Sequence, residues 1–246
     1  MSPSVVLVPG APVLVPELSG SAVADTGGGV DTICEVLRRA RIGAARVVVL
    51  GSDPGGRGLG DMRSTLARWG VDVPVGRPDA PPAPHGAVPD AALIGWWLLD
   101  RAGTDLPRSF RGIPVSPRSA PTPEPDDLVV VVADGPASLT PRAPVPEDPR
   151  GVSLDGHLGR WLRTGGVLPD PGARVADEVG WWSRPAWLAL ASLVAGRPAR
   201  ESLSWAPFGV GYHCAWWPPE SPTDLAVEGA VRDPHARDAI VPGEPS

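Results

Sequence analysis

Residues 128–138 read LVVVVADGPAS, a β-branched apolar run that ends at a single acid, Asp134. Such a run is typical of a strand that is buried on both faces, as in a parallel sheet. Two shorter runs of this kind, SVVLV at 4–8 and RVVVLG at 46–51, precede it, and segments with helical spacing lie between the three. Strands that alternate with helices indicate βαβ units. The sequence therefore predicts an α/β fold with a mainly parallel central sheet and helices on both faces.

Weaker patterns complete the expected organisation. Further strands are predicted at 71–75, 113–116, 203–205 and 210–217, and helices at 30–41, 62–69, 89–102, 155–164 and 184–195. We expect residues 1–217 to form one α/β domain. Residues 218–246 are acidic and proline-rich without a sustained apolar face, and we interpret them as a flexible tail.

The composition excludes several classes of function. A net charge of −6 without a basic cluster gives no reason to expect nucleic-acid binding. No segment approaches the roughly 18 continuous apolar residues of a membrane helix, and we expect a cytoplasmic protein. The chain has no Lys, so all 22 of its basic Lys or Arg positions are arginines. A Walker-type phosphate loop and a Schiff-base lysine are therefore both excluded.

Loops that follow parallel strands are where open α/β sheets place their sites. Three such loops, at 9–12, 51–56 and 133–138, line one mouth if their strands are neighbours. Two residues are candidates for chemistry: Asp134, for which the alternative role is to cap a turn, and His213, which the sequence favours as a hydrogen-bonded core histidine. The candidate pocket residues are Pro9, Gly10, Pro12, Glu17, Gly51, Ser52, Asp53, Gly135 and Tyr212.

Four segments occur in an order that resembles a known family: VPGAPVLVPELSG at 8–20, RVVVLG at 46–51, VVVVADGPAS at 129–138 and FGVGYHCAWW at 208–217. The chain resembles the class III extradiol ring-cleavage dioxygenases of the LigB type, in particular a divergent actinobacterial branch of them. Typical members hold Fe(II) through two histidines and a carboxylate. The resemblance places an iron-binding histidine at Gly10 and an acid/base histidine at Ala137, while Asp134 is retained.

This departure at Gly10 and Ala137 favours a LigB-like pseudoenzyme that has lost its iron ligands, with no cofactor and no metal ligand expected. Two roles stay open for it: a small-molecule-binding protein, or a partner chain in a homo- or hetero-oligomer. Tryptophan doublets at 96–97, 181–182 and 216–217 favour an interface if a ring is exposed, and otherwise fill the core.

Two alternatives assign a different chemistry. The first is a metal-dependent dioxygenase or hydrolase acting on an aromatic or other small substrate, with Fe(II) held at a rearranged site by some of Glu17, Asp134 and His213. The second is a phosphate or nucleotide binder that uses the glycine-rich loop 51–60, where backbone N–H groups would have to converge at a helix start.

Overall fold

The computed structural model describes residues 2–20, 23–84, 86–115 and 122–220. Its strands are β1 (Ser4–Val8), β2 (Arg46–Ser52), β3 (Gly58–Leu59), β4 (Ser64–Thr65), β5 (Pro74–Val75), β6 (Arg108–Ile113), β7 (Asp127–Val132), β8 (Glu201–Trp205) and β9 (Tyr212–Trp217). Seven of them form one sheet in the order β3-β6-β2-β7-β1-β9-β8. The four strands β6, β2, β7 and β1 are parallel, and antiparallel strands close both edges. The expected α/β fold with a mainly parallel centre is confirmed.

Helices cover both faces of this sheet, because successive side chains of a strand point to opposite sides. The helices are α1 (Pro16–Ser19), α2 (Val23–Ala40), α3 (Asp90–Arg101), α4 (Pro149–Thr164), α5 (Ala173–Glu178) and α6 (Arg184–Val194). Val130 and Val132 of β7 pack with α2 and α3, whereas Val129 and Val131 pack with α4 and α6. Every residue of β7 is buried, as the run LVVVVA predicts.

The segment between β2 and α3 differs from the sequence prediction. Residues 62–69, predicted as a helix, form β4 and a 3₁₀ turn at Ala67–Trp69. The backbone of Arg63 bonds to Pro81 and Ala83, and the N–H of Leu66 donates to the carbonyl of Val73. These partners are more than one helical turn away in sequence, so an isolated helical pattern does not reveal them. The strand predicted at 71–75 shrinks to β5, which pairs with β4 in a separate sheet.

Two boundaries also differ. The strand predicted at 113–116 is β6, which ends at Ile113 before Pro114, and residue 116 lies outside the described ranges. Helix α2 begins at Val23 rather than residue 30 and includes three glycines, residues 27–29. A Cβ built at Gly29 would lie 2.6 Å from the ring of Trp205, so glycine permits this helix to approach β8 closely.

Of the tail predicted at 218–246, residues 221–246 lie outside the described ranges. Within the described ranges, no helix combines the length and the apolar character that crossing a membrane requires.

Candidate functional site

The loops after β1 and β7 meet at the carboxyl edge of the sheet, where the sequence predicts a mouth. The backbone N–H of Gly10 donates to Oδ1 of Asp134 at 2.9 Å. A Cβ built at Gly10 would lie only 2.8 Å from Cγ1 of Val132 and 3.8 Å from Oδ2 of Asp134. Two predicted residues are thus brought together, and any side chain at residue 10 would have to displace Val132.

Asp134 is held by the start of α6. Its N–H donates to Oγ of Ser183 at 3.2 Å, and its carbonyl accepts a hydrogen bond from Nε1 of Trp187 at 2.9 Å. Burial raises the pKa of the Asp134 carboxyl to about 6, while the Gly10 N–H and the His213 ring act in the opposite direction. A strand-end acid in this environment can hold or release a proton near neutral pH.

Helix starts pack over the mouth from both faces of the sheet. The N–H of Ala186, in the first turn of α6, donates to Oγ of Ser52 at 3.2 Å, and Ala186 and Trp187 have no exposed surface. On the opposite face, a Cβ built at Gly51 would lie 2.4 Å from Cβ of Ala91 at the start of α3. Gly51 and Ser52 therefore allow the starts of α3 and α6 to pack closely against the end of β2.

The glycine-rich loop 51–60 is held together by hydrogen bonds to the carboxylate of its own residue Asp53. The carboxylate of Asp53 is buried and accepts hydrogen bonds from the backbone N–H of Arg57 at 2.8 Å and from its guanidinium at 2.6 Å. The Arg57 side chain holds the pKa of Asp53 below its ordinary value. The loop continues into β3 rather than into a helix. A phosphate would have to displace the Asp53 carboxylate, so the geometry does not favour the nucleotide alternative.

His213 lies on β9 with no exposed surface and with both ring nitrogens hydrogen-bonded. Its Nδ1 is 2.8 Å from Oγ of Ser204, its cross-strand neighbour on β8, and its Nε2 is 3.0 Å from Oδ1 of Asp155 on α4. The edge of its ring meets Trp187, with ring centroids 5.4 Å apart. With Asp155 ionised, the ring donates to the carboxylate and accepts from the hydroxyl.

The sequence does not predict Ser204 or Asp155 as partners of His213. The register of the β8–β9 hairpin would have indicated the first contact, since it places Ser204 directly opposite His213. Asp155 belongs to a helix that is distant in sequence, and no local pattern brings it to the strand.

Gly135 and Tyr212 lie beside this histidine rather than in an open pocket. The N–H of Gly135 donates to the carbonyl of Gly211 at 2.7 Å, and a Cβ built at Gly135 would lie 2.9 Å from Oδ1 of Asp155. Tyr212 is buried with its ring against Trp205, and burial raises its pKa above the ordinary value. Gly135 thus packs closely against Asp155, and Tyr212 packs against the end of β8.

The other predicted residues lie at the rim of the mouth or outside it. Pro9 is buried directly after β1, and Pro12 begins a 3₁₀ turn. Glu17 is exposed on α1. Ala137, which the resemblance equates with an acid/base histidine, is buried next to Gly180, where a built Cβ would lie 3.0 Å from Cβ of Ala137.

The side chains described do not fit the iron that the resemblance implies. In the ranges that the structure covers, no three His, Cys, Asp or Glu side chains are grouped as a metal ion requires. Gly10 offers no ligand atom, Glu17 is exposed on α1, and both nitrogens of His213 are engaged.

A cavity of about 1080 Å³ lies at the other end of the sheet, where the sequence predicts no site. Its wall comes from the β4–β5 hairpin and its loops, from the end of α3 and from the start of β6. Arg108, which pairs with Val47 at the amino end of the parallel strands, contributes to the floor. The cavity is therefore separated from the mouth by the length of the strands.

The floor of the cavity carries polar groups without partners. The guanidinium of Arg108 is 1% exposed and donates to Oδ1 of Asp100 at 2.7 Å and to the carbonyl of Thr104 at 2.8 Å. Nε of Arg108 and Oγ1 of Thr104 are both buried without a hydrogen-bond partner among the described residues. Buried polar atoms are nearly always hydrogen-bonded, so these two atoms are exceptions, and both belong to residues that line the cavity.

Compared with known proteins, the chain matches no family model, and no curated protein matches it. Fold and geometry alone define its class. It is an α/β protein whose carboxyl-end mouth is packed by helix starts and whose large cavity lies at the amino end of the sheet.

Proposed function

We propose that this chain is a LigB-like α/β protein that does not cleave aromatic rings and instead binds a small molecule. The observation that carries the proposal is the cavity of about 1080 Å³, with its buried, unsatisfied Arg108 and Thr104. This volume is at the upper end of the range of ligand pockets, and a concave wall with a few convergent polar groups is their usual form.

The arrangement at the mouth supports the loss of ring cleavage. The resemblance requires an imidazole at residue 10, and the space beside Gly10 is filled by Val132. Ring cleavage also requires open coordination positions for catechol and O₂. The first turn of α6 packs onto Ser52 and Asp134 in the same region.

The test is direct capture of the ligand. Protein purified under native conditions is denatured, and the released small molecules are identified by mass spectrometry. We expect one class of compound to be retained by the parent chain and lost from Ala67→Trp, which fills the cavity from an exposed wall position. Ala173→Trp, at an exposed position on the opposite face of the sheet, is the matched control and should retain it. Retention by both variants would contradict the assignment to this cavity.

The absence of ring-cleavage activity needs its own measurement. After anaerobic purification and incubation with Fe(II), we expect iron below about one atom per ten chains, because the described residues contain no three-ligand group to retain it. We also expect no catechol-dependent oxygen uptake. Stoichiometric iron together with oxygen uptake would overturn the proposal.

A role as a partner chain is the second candidate, and one tryptophan favours it. Trp182 is 59% exposed, whereas its neighbour Trp181 and the doublet Trp96-Trp97 are buried. Exposed tryptophans are enriched where proteins associate. Light scattering of the parent chain and of Trp182→Ser tests this role: a parent oligomer that dissociates in the variant supports it, and a monomeric parent opposes self-association.

A further inference from the structure

The cavity floor indicates the chemical class of the ligand, an inference that rests on the proposed binding function. Nε of Arg108 has no hydrogen-bond partner, whereas its other two nitrogens donate to Asp100 and to the carbonyls of Trp96 and Thr104. Oγ1 of Thr104 adds a hydroxyl without a partner. A guanidinium N–H and a hydroxyl together match an acceptor group that carries negative charge.

The rim of the cavity supplies a second, unpaired cation. Arg68 pairs with Asp90, and Arg77 pairs with Asp61 and Asp79. Arg63, by contrast, has no ion pair or side-chain hydrogen bond among the described residues, and it is exposed at the cavity wall. Its guanidinium is therefore free to meet a ligand group at the entrance.

The charge of the wall limits the charge of the ligand. Four arginines line the cavity: Arg63, Arg68, Arg77 and Arg108. Three aspartates line it as well: Asp79, Asp100 and Asp105. Arg68 and Arg77 are each also paired with an aspartate outside the wall. Arg63 is therefore the one arginine of the wall without a carboxylate partner among the described residues. An anion with one charge matches this single unpaired arginine, whereas a phosphate dianion would face three carboxylates with too few free donors.

Most of the remaining wall is aliphatic or glycine, and Ser64 and Thr65 add two hydroxyl groups. Pro74, Val75, Pro78, Pro82 and Ala83 surround the polar floor, and none of the described wall residues is aromatic. Such a lining favours the apolar body of a ligand over a second polar end.

We propose that this cavity binds a small organic monocarboxylate, whose carboxylate meets the guanidinium of Arg63 at the entrance. Its binding shifts the side chains that now cover Nε of Arg108 and Oγ1 of Thr104, so that both atoms donate to it. The aliphatic wall receives the remainder of the molecule. Arg108 and Thr104 determine the specificity for the carboxylate, and Arg63 assists at the entrance.

The experiment compares three ligands that have similar alkyl bodies and different head groups. Octanoate, octanamide and octyl phosphate are titrated into the full chain by calorimetry, because they share an apolar body and differ only in charge and donors. We expect octanoate to bind about tenfold or more tightly than octanamide, and octyl phosphate to bind no more tightly than octanoate.

Variants then assign the contacts. Thr104→Val preserves the shape of the side chain and removes its hydroxyl, so octanoate affinity should fall about tenfold with octanamide less affected. Arg63→Gln should weaken octanoate about fivefold and reduce the dependence of its binding on salt. Arg68→Gln, also at the wall but already paired with Asp90, is the matched control and should change octanoate binding less than about twofold.

The outcomes separate the two proposals. Equal binding of octanoate and octanamide overturns the carboxylate inference and leaves small-molecule binding intact. Tighter binding of octyl phosphate overturns it in favour of a dianion. No binding of any of the three also overturns it, and if nothing is captured from the parent chain either, the binding function itself is refuted.

Discussion

The carboxyl of Asp134 makes the stability of the protein depend on pH in an unusual direction. Its pKa is raised from an ordinary 3.8 to about 6, mainly by burial. Between these two pH values the folded chain holds a proton that the unfolded chain has released, so stability falls as pH rises through this window. This difference in pKa corresponds to roughly 3 kcal/mol, lost in full above about pH 7.

The variant Asp134→Asn isolates this effect. The amide oxygen can still accept the hydrogen bond from the Gly10 N–H, but the side chain carries no charge at any pH. We expect the variant to be more stable than the parent by up to about 3 kcal/mol above pH 7, with the gain vanishing below about pH 4. Urea unfolding, followed by tryptophan fluorescence across this range, measures the difference directly.

Asp53→Asn is the matched control, because its environment has the opposite sign. Arg57 holds the pKa of Asp53 below its ordinary value, so the carboxylate contributes stability that is lost as pH falls through the depressed pKa. This variant should lose stability at neutral pH, and its deficit should shrink in acid. A constant advantage of Asp134→Asn from about pH 4 to about pH 8, or a deficit at the upper end, would refute the reasoning about Asp134.

Three further predictions concern packing and the histidine network. Gly10→Ala should cost roughly 1–3 kcal/mol in urea unfolding, because its Cβ would lie 2.8 Å from Cγ1 of Val132, and the same substitution should cost less when it is made in a Val132→Ala background; an unchanged single variant would show that the strand end is not packed as described. His213→Leu should cost about 1–3 kcal/mol, since it removes the ring that bonds Asp155, and a double-mutant cycle with Asp155→Asn should give a coupling energy above about 0.5 kcal/mol; additive losses would argue against the contact. Burial raises the pKa of Cys214 to about 12, so its reaction with a disulfide reagent at about pH 8 should be at least about a hundredfold slower in the folded than in the unfolded chain; comparable rates would contradict this burial.

The central strands could be predicted from the sequence because their apolar composition indicates that they are buried. Runs such as 128–133 are β-branched and apolar at almost every position, and only a strand covered on both faces needs that pattern. The segment 62–83 carries no such pattern. Its structure depends on backbone pairs such as Arg63 with Ala83 and Leu66 with Val73, which single-residue preferences do not encode.

The candidate site could be predicted only in part, for a related reason. The rule that loops after parallel strands converge placed Gly10 beside Asp134 correctly. The same rule says nothing about what packs over the converging loops. The burial of Ala186 and Trp187 there follows from where α6 begins, and the bond between His213 and Asp155 follows from the position of α4.

The cavity is the feature that local sequence patterns predict least. Arg108 begins a strand that the sequence prediction misplaces, and its unsatisfied Nε becomes apparent only once Asp100 and the carbonyl of Thr104 have occupied its other nitrogens. A buried arginine of this kind is costly unless its remaining donor is used. At the opposite end of the sheet, Gly10 packs closely against Val132 of β7, and Ser52 accepts a hydrogen bond from the first turn of α6. The ligand that we propose would therefore lie at the amino end of the strands, at the opposite end of the sheet from the loop where the resemblance expects iron.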